Sequence, residues 1–393
     1  MARLGLLAVG LLTALLPDAA GAQTPLAGKI VFSVFAGLPA FQGDERCEGL
    51  YAVNADGTGL ARLAGYAHGS GVFYPRFSAN GRMLSFGTTY ADPASRLPRT
   101  TLYTMNVTSG HFRRRSTFLS PYSASGTVWS PRGRSLLYLY TRGTKLELHA
   151  LELPRGRDRN LTPGLIALGA SWSPDARRIA FWTRARPGRR SAVLTMNADG
   201  TDKRLLVPDA TAAAWSPQGG RIAFFRAADR PASLWIAGAS GDGVRKLAAH
   251  ARPPALWSPS GEALMFLREP RRRSPPGSEH GAGDLYRLDL RTGRERLVER
   301  SVIPLVWRRD GRILFLRGRV VAGEGVFAVV VAREDGTRER LVGVTDEEDV
   351  NIGSFPAWQP VRVPLTQAAA PFTPRIDGGR CIRLLAGLRN RIR

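Results

Sequence analysis

The sequence predicts an all-β protein built as a ring of short-stranded repeats, and three observations carry that prediction. The 43 Gly and 27 Pro are scattered between short apolar runs along all 393 residues, as many tight connections between many short strands require. A unit headed by an aromatic residue, a Ser-Pro or similar pair and a Gly turn recurs along the chain. Each head is followed by a tail of one strand, a polar Gly-containing turn and another short strand.

Residues 1–22 stand apart. Arg3 supplies a positive start, Leu4 to Leu16 an apolar run, and Ala20-Gly21-Ala22 a small-residue cleavage site before Gln23, which predicts a secretory signal. The alternative, an N-terminal membrane anchor, asks for roughly 20 apolar residues, more than this run holds. No Cys follows the cleavage site, so a lipid-anchored form has no support. The mature chain carries no transmembrane span and is expected as a monomer in the periplasm or outside the cell. An oxidising compartment lets a disulfide persist, and Cys47 and Cys381 are the only candidates; two unpaired thiols are the other reading.

Residues 23–360 hold the repeat. Heads are plain at Trp129-Ser130-Pro131, Trp172-Ser173-Pro174, Trp215-Ser216-Pro217 and Trp257-Ser258-Pro259, with weaker copies at Phe77-Ser78-Ala79 and Trp307-Arg308-Arg309. Tails are clearest at Leu50 to Thr58 and Val193 to Thr201, whose Asn-Ala-Asp-Gly-Thr segments are hairpin chemistry: Gly accepts positive φ, and Asp bonds its own backbone. Further tails begin near Leu102, Leu146, Leu234, Leu285 and Val326.

Seven tails need seven heads, and one head is split. Phe355-Pro356-Ala357-Trp358 has the aromatic and no strand after it, whereas Gly28 to Phe32 is a strand with no aromatic before it. Joined, they leave no open edge in the ring. The heads lie 52, 43, 43, 42, 50 and 51 residues apart from Phe77 to Trp358, the spacing of four-stranded blades. The expected fold is a seven-bladed β-propeller of four-stranded blades closed by a split first and last blade, with six blades the alternative, since insertions blur the boundaries of the fifth and sixth.

The repeated head together with the Asn-Ala-Asp-Gly-Thr turns resembles the TolB-like, WD40-like propeller repeat from Gly28 to Pro360. It does not resemble TolB itself, in which a separate α/β domain precedes six blades. The resemblance implies the fold and a tendency to bind proteins.

In such a repeat the head aromatic fills the space between blades, and the Ser-Pro ends the innermost strand. Function is expected from the channel and the faces. Three residues before each aromatic stand Tyr74, Gly126, Gly169, Ala212, Pro254, Pro304 and Phe355, a row without His, Cys, Asp or Glu, so no catalytic residue, cofactor or metal is expected there. The loops leading into the innermost strands share one face and carry Tyr66, His68, Tyr122, Asp209, His250 and Asp346 to Asp349, including Glu347. These residues are the candidate binding face; ordinary solvated loop tips are the alternative.

The net charge is +24, yet only four of the 56 basic residues are Lys, and the Arg excess is spread through the chain. Arg113-Arg114-Arg115, the stretch Arg184 to Arg190 and Arg271-Arg272-Arg273 are candidate polyanion contacts, or solvated charge. No aromatic residues interleave with them to stack bases, which argues against a specific nucleic-acid partner. Residues 361–393 form a basic tail whose Cys381 to Arg393 segment reads as a short amphipathic helix with Gly387 in its middle.

The leading expectation is an extracytoplasmic, non-catalytic scaffold that binds protein in the cell envelope. A propeller-type polysaccharide lyase using His68 and His250, or an acidic-polymer binder using the Arg excess, is the alternative. A propeller peptidase is excluded because no Gly-x-Ser-x-Gly elbow is present.

Overall fold

The computed structural model describes residues 29–34, 49–65, 71–91, 98–119, 127–142, 145–184, 190–226, 229, 231–269, 282–321, 324–337, 339–346 and 357–358. The predicted signal, Cys47 and Cys381, and the basic tail lie outside them. Every regular element among the described residues is a strand, each paired antiparallel to its sequence neighbour within its sheet.

The first sheet contains β1 (Lys29–Val34), β2 (Gly49–Asn54) and β3 (Ala61–Gly65). Four-stranded sheets follow from β4 (Gly71–Phe77), β5 (Met83–Ala91), β6 (Pro98–Asn106) and β7 (Phe112–Leu119), and from β8 (Val128–Trp129), β9 (Ser135–Arg142), β10 (Lys145–Glu152) and β11 (Arg157–Asn160). The fourth sheet holds β12 (Ala167–Trp172), β13 (Arg178–Thr183), β14 (Ala192–Asn197) and β15 (Arg204–Pro208). The fifth holds β16 (Thr211–Trp215), β17 (Arg221–Arg226), β18 (Ser233–Gly238) and β19 (Arg245–Ala248). The sixth has seven strands, β20 (Arg252–Trp257), β21 (Ala263–Arg268), β22 (Gly283–Asp289), β23 (Glu295–Trp307), β24 (Arg312–Val321), β25 (Glu324–Arg333) and β26 (Arg340–Asp346). The short β27 (Ala357–Trp358) completes the first sheet beside β1, in register Ile30 to Trp358.

The split unit therefore exists, and strands of the first sheet lie against β4 on one side and β26 on the other, closing the ring. The expectation of seven separate blades is corrected to six sheets. The physical reason is β23, whose first half pairs with β22 from Glu295 to Val302 and whose second half pairs with β24 from Val302 to Trp307. Elsewhere the chain breaks its ladder between the outermost strand of one unit and the innermost strand of the next. Here it runs through, and the unit headed by Trp307 shares a sheet with the one before it.

The head tryptophans join neighbouring units. Trp129 Nε1 donates to the Arg76 carbonyl at 3.0 Å, Trp172 Nε1 to Val128 at 3.3 Å and Trp257 Nε1 to Ala214 at 3.0 Å. Each acceptor is the residue just before the preceding head. Trp307 departs from this pattern and donates to Glu334 Oε2 at 2.9 Å. All five described head tryptophans are 8–9% exposed, which leaves no indole face for a ligand. Beside them, the second strands of the sheets are buried along consecutive residues, as in Ile222 to Phe225 and Ala263 to Leu267, because each sheet packs between two neighbours.

The Ser of the head has a part of its own. Ser130 Oγ accepts the Ser135 amide at 3.0 Å, Ser173 the Arg178 amide at 2.8 Å, Ser216 the Arg221 amide at 3.1 Å and Ser258 the Ala263 amide at 3.0 Å. The hydroxyl thus closes the turn between the innermost and second strands and satisfies an amide that the tight turn would leave open.

The Asp-Gly-Thr turns form as the sequence predicts. Asp199 Oδ1 accepts the Thr201 amide at 2.9 Å and its hydroxyl at 2.6 Å, and Asp335 does the same for Thr337. Gly336 stands at φ +81°, and a Cβ there would lie 2.5 Å from the Val298 carbonyl oxygen, so this turn packs directly on the strand of the preceding unit.

Candidate functional site

Antiparallel pairing puts two sets of loops at opposite ends of the ring. At one end, here the inlet face, lie the loops leading into the innermost strands and the hairpins between second and third strands. At the other, the outlet face, lie the Ser-Pro-x-Gly turns and the Asp-Gly turns.

Of the predicted inlet-face residues, Asp209 and His250 are described; Tyr66, His68, Tyr122, Glu347 and Asp349 lie outside the described residues. Asp209 Oδ2 meets Arg190 Nη1 at 3.0 Å, which brings one end of the Arg184 to Arg190 stretch onto the same surface. His250 is exposed. Both residues adopt left-handed backbone, with φ +58° at Asp209 and +54° at His250. Ala212 at +51° and Ser301 at +49° do the same in the corresponding approaches to β16 and to the second half of β23. Side chains visit this region at a cost of about 1–2 kcal/mol each, so the surrounding structure must impose it. Asp284 shows how: it is buried, accepts the Ser301 amide at 3.2 Å and meets Arg300 Nη1 at 3.3 Å. Neither the backbone strain nor Asp284 was signalled in the sequence, because Asp and Ser are ordinary loop residues until their φ is known.

Of the channel row, Tyr74, Gly169, Ala212, Pro254 and Pro304 stand in β4, β12, β16, β20 and β23. Among the described residues no group of three His, Cys, Asp or Glu is placed to hold a metal ion.

The candidate polyanion contacts divide. Arg115 is half-buried, with Nε donating to Thr104 Oγ1 at 2.7 Å and Nη1 to the Pro154 carbonyl of the next unit at 3.3 Å; burial and then the Arg113 charge depress its pKa. Arg159 repeats the inter-unit bond to the Asp199 carbonyl at 3.3 Å, and Arg296 repeats it to Glu334 at 3.2 Å. Part of the Arg excess is therefore structural, a fastening from outer strand to the next unit's turn. Arg113 and Arg114 remain exposed, and Arg271, Arg272 and Arg273 lie outside the described residues.

The outlet-face turns carry a pH dependence. The Thr201 hydroxyl and amide lower the Asp199 pKa from its ordinary 3.8, the Thr337 hydroxyl and amide do so for Asp335, and the Ser173 hydroxyl followed by the Arg177 amide for Asp175. A carboxylate whose folded pKa is depressed stabilises the fold above its unfolded pKa and loses that contribution as pH falls through the lowered value. These carboxylates are exposed and screened by solvent, so the melting temperature is expected to fall modestly on their account below about pH 4. An Asp199→Asn/Asp335→Asn variant, which keeps the acceptor oxygen and loses the charge, should show a shallower fall when both are scanned from neutral to acid pH.

No family model matches the chain, and no curated protein matches its sequence. Its fold is nevertheless that of solved proteins. TolB from Acinetobacter baumannii is similar over 80% of this chain and 79% of its own, at TM-score 0.51 and 13% identity. An oligogalacturonate lyase from Vibrio parahaemolyticus is similar over 80% and 85%, at TM-score 0.53 and 10% identity. A puromycin-hydrolysing peptidase from Mycobacterium tuberculosis is similar over 69% of this chain and 46% of its own, at TM-score 0.51 and 16% identity. The chain has the TolB-like β-propeller fold and is not TolB itself. At these identities the likeness is one of fold alone.

Proposed function

We propose that this chain is an exported, non-catalytic β-propeller that binds a protein partner in the cell envelope through its inlet face. The observation that supports the reading is that four of the six left-handed, non-Gly residues among the described residues, Asp209, Ala212, His250 and Ser301, lie in or beside the inner strands of consecutive units, whereas Ala176 and Asp202 lie in outlet-face turns. A fold keeps strained backbone where a surface has to be held in one shape. The predicted signal at residues 1–22, cleaved before Gln23, supports export, and in the periplasm or outside the cell Cys47 and Cys381 would pair as a disulfide. Tyr66, His68, Tyr122, Glu347 and Asp349 belong to the same face in this reading.

Affinity capture of the mature protein from extracts of its own cell envelope, washed at low and high salt, tests the proposal. A stoichiometric protein retained at high salt is the expected result. Recovery of acidic polymers alone, lost at high salt, would overturn it and favour an acidic-polymer binder. A second reading, a polysaccharide lyase, draws on fold likeness to oligogalacturonate lyases, one of them solved with manganese. It predicts product release from oligogalacturonate that rises with added manganese and falls in His250→Ala.

A further inference from the structure

On the outlet face, the turns of the third and fourth sheets flank an open cleft of about 370 Å³, within the size range of small-molecule sites. Its rim carries Arg132, Arg134, Arg159 and Arg177 from two turns and one outer strand. Three carboxylates share the cleft and offset three of its four positive charges, and each is fixed in place by its own partners. Glu152 is held by Arg159 at 3.2 Å, Asp175 accepts the Ser173 hydroxyl at 2.6 Å and the Arg177 amide at 3.0 Å, and Asp199 accepts both donors of Thr201. Arg132, Arg134 and Arg177 are exposed, and none of their guanidinium groups lies within 4.0 Å of a carboxylate among the described residues, although the Arg177 charge acts on Asp175 from farther away. Three unpaired forks around one small cavity form a receptor for several oxyanion groups at once, because a guanidinium binds carboxylate or phosphate through two parallel hydrogen bonds.

We infer that this cleft binds a small multivalent oxyanion, a di- or tricarboxylate or a diphosphate, through Arg132, Arg134 and Arg177. The site lies at the opposite end of the ring from the inlet face and does not depend on the function assigned there. Its residues come from two consecutive units about 45 residues apart, and the packing of one unit against the next brings them together.

The test is calorimetric titration of the full mature chain with citrate, pyrophosphate and acetate at low salt. Saturable one-to-one binding of citrate or pyrophosphate is expected, at least about tenfold tighter than acetate. Whichever of citrate and pyrophosphate binds more tightly decides between the carboxylate and phosphate forms of the ligand. Arg134→Ala/Arg177→Ala should weaken that binding at least about tenfold with an unchanged melting temperature. Arg113→Ala/Arg114→Ala removes the same charge elsewhere on the surface and should leave binding as it was. Equal weakening in both double variants would assign the effect to the net positive field and overturn the site, as would the absence of saturable binding at millimolar citrate and pyrophosphate. Arg177→Gln, a milder change at an exposed position, gives the same reading should the double variant fold poorly.

Discussion

Trp257→Ala is expected to destabilise the protein by about 3–5 kcal/mol, and Trp257→Phe by about 1–2 kcal/mol. Trp257 is 9% exposed and sits in a cluster that takes Ala223, Phe225 and Ile236 from the fifth sheet and Leu264 and Phe266 from the sixth. Truncation therefore opens a cavity between two units that share no strand. The Phe variant keeps most of the packing and loses the bond from Nε1 to the Ala214 carbonyl, together with part of the attraction to the Arg221 guanidinium 5.5 Å from the ring. Urea denaturation of the three proteins side by side checks the order. A Phe variant as unstable as the Ala variant would mean that the hydrogen bond, and not the filled volume, holds the units together.

Val31→Pro is expected to abolish the native fold. Val31 is fully buried in β1, which pairs on one side with β2 through Ala52 and on the other with β27 through Ala357. Proline there removes a ladder donor from an inner strand and twists the chain away from its neighbours, at a cost of about 3 kcal/mol or more before the lost valine packing is added. The ring would then present unpaired strand edges, which invite association between chains. Size-exclusion chromatography should show aggregated or expanded species in place of the native peak. A variant lacking Lys29–Val34 should behave likewise, and a peptide of that sequence added in trans should restore the native form. A cooperatively folding Val31→Pro protein in the native peak would show that the ring closes without β1.

Much of this architecture is legible in the sequence, because each unit repeats the same local chemistry. The tails predicted from Leu102, Leu146, Leu234, Leu285 and Val326 fall in β6, β10, β18, β22 and β25, and the strand from Gly28 and the aromatic at Trp358 do pair. The number of sheets was misread because a repeat count assumes a break between units. From Leu297 to Ile303 the chain reads Leu-Val-Glu-Arg-Ser-Val-Ile, with no Gly, Pro or Asn to interrupt a strand, and Arg317 braces it by meeting Glu299 at 2.8 Å and reaching Glu339. That uninterrupted run was the available signal. The head Ser was credited to its neighbouring Pro, since a hydroxyl that accepts an amide five residues on leaves no mark in composition. The outlet cleft was invisible for another reason: its arginines are unremarkable singly and become a site only through the spacing of two turns in space. Arg115 shows the converse, a charge that looked available and is occupied in fastening units together.

The central claim is that the inlet face binds the partner, and the most direct measurement is the affinity of the captured envelope protein for three forms of the chain. These are the wild type, Asp209→Ala/His250→Ala, and the outlet-face variant Arg134→Ala/Arg177→Ala. A loss of about tenfold or more in the inlet-face variant alone, with melting temperatures unchanged, is the predicted result. Full affinity in the inlet-face variant and a loss confined to the outlet-face variant would contradict the account and move the protein-binding surface to the other end of the ring.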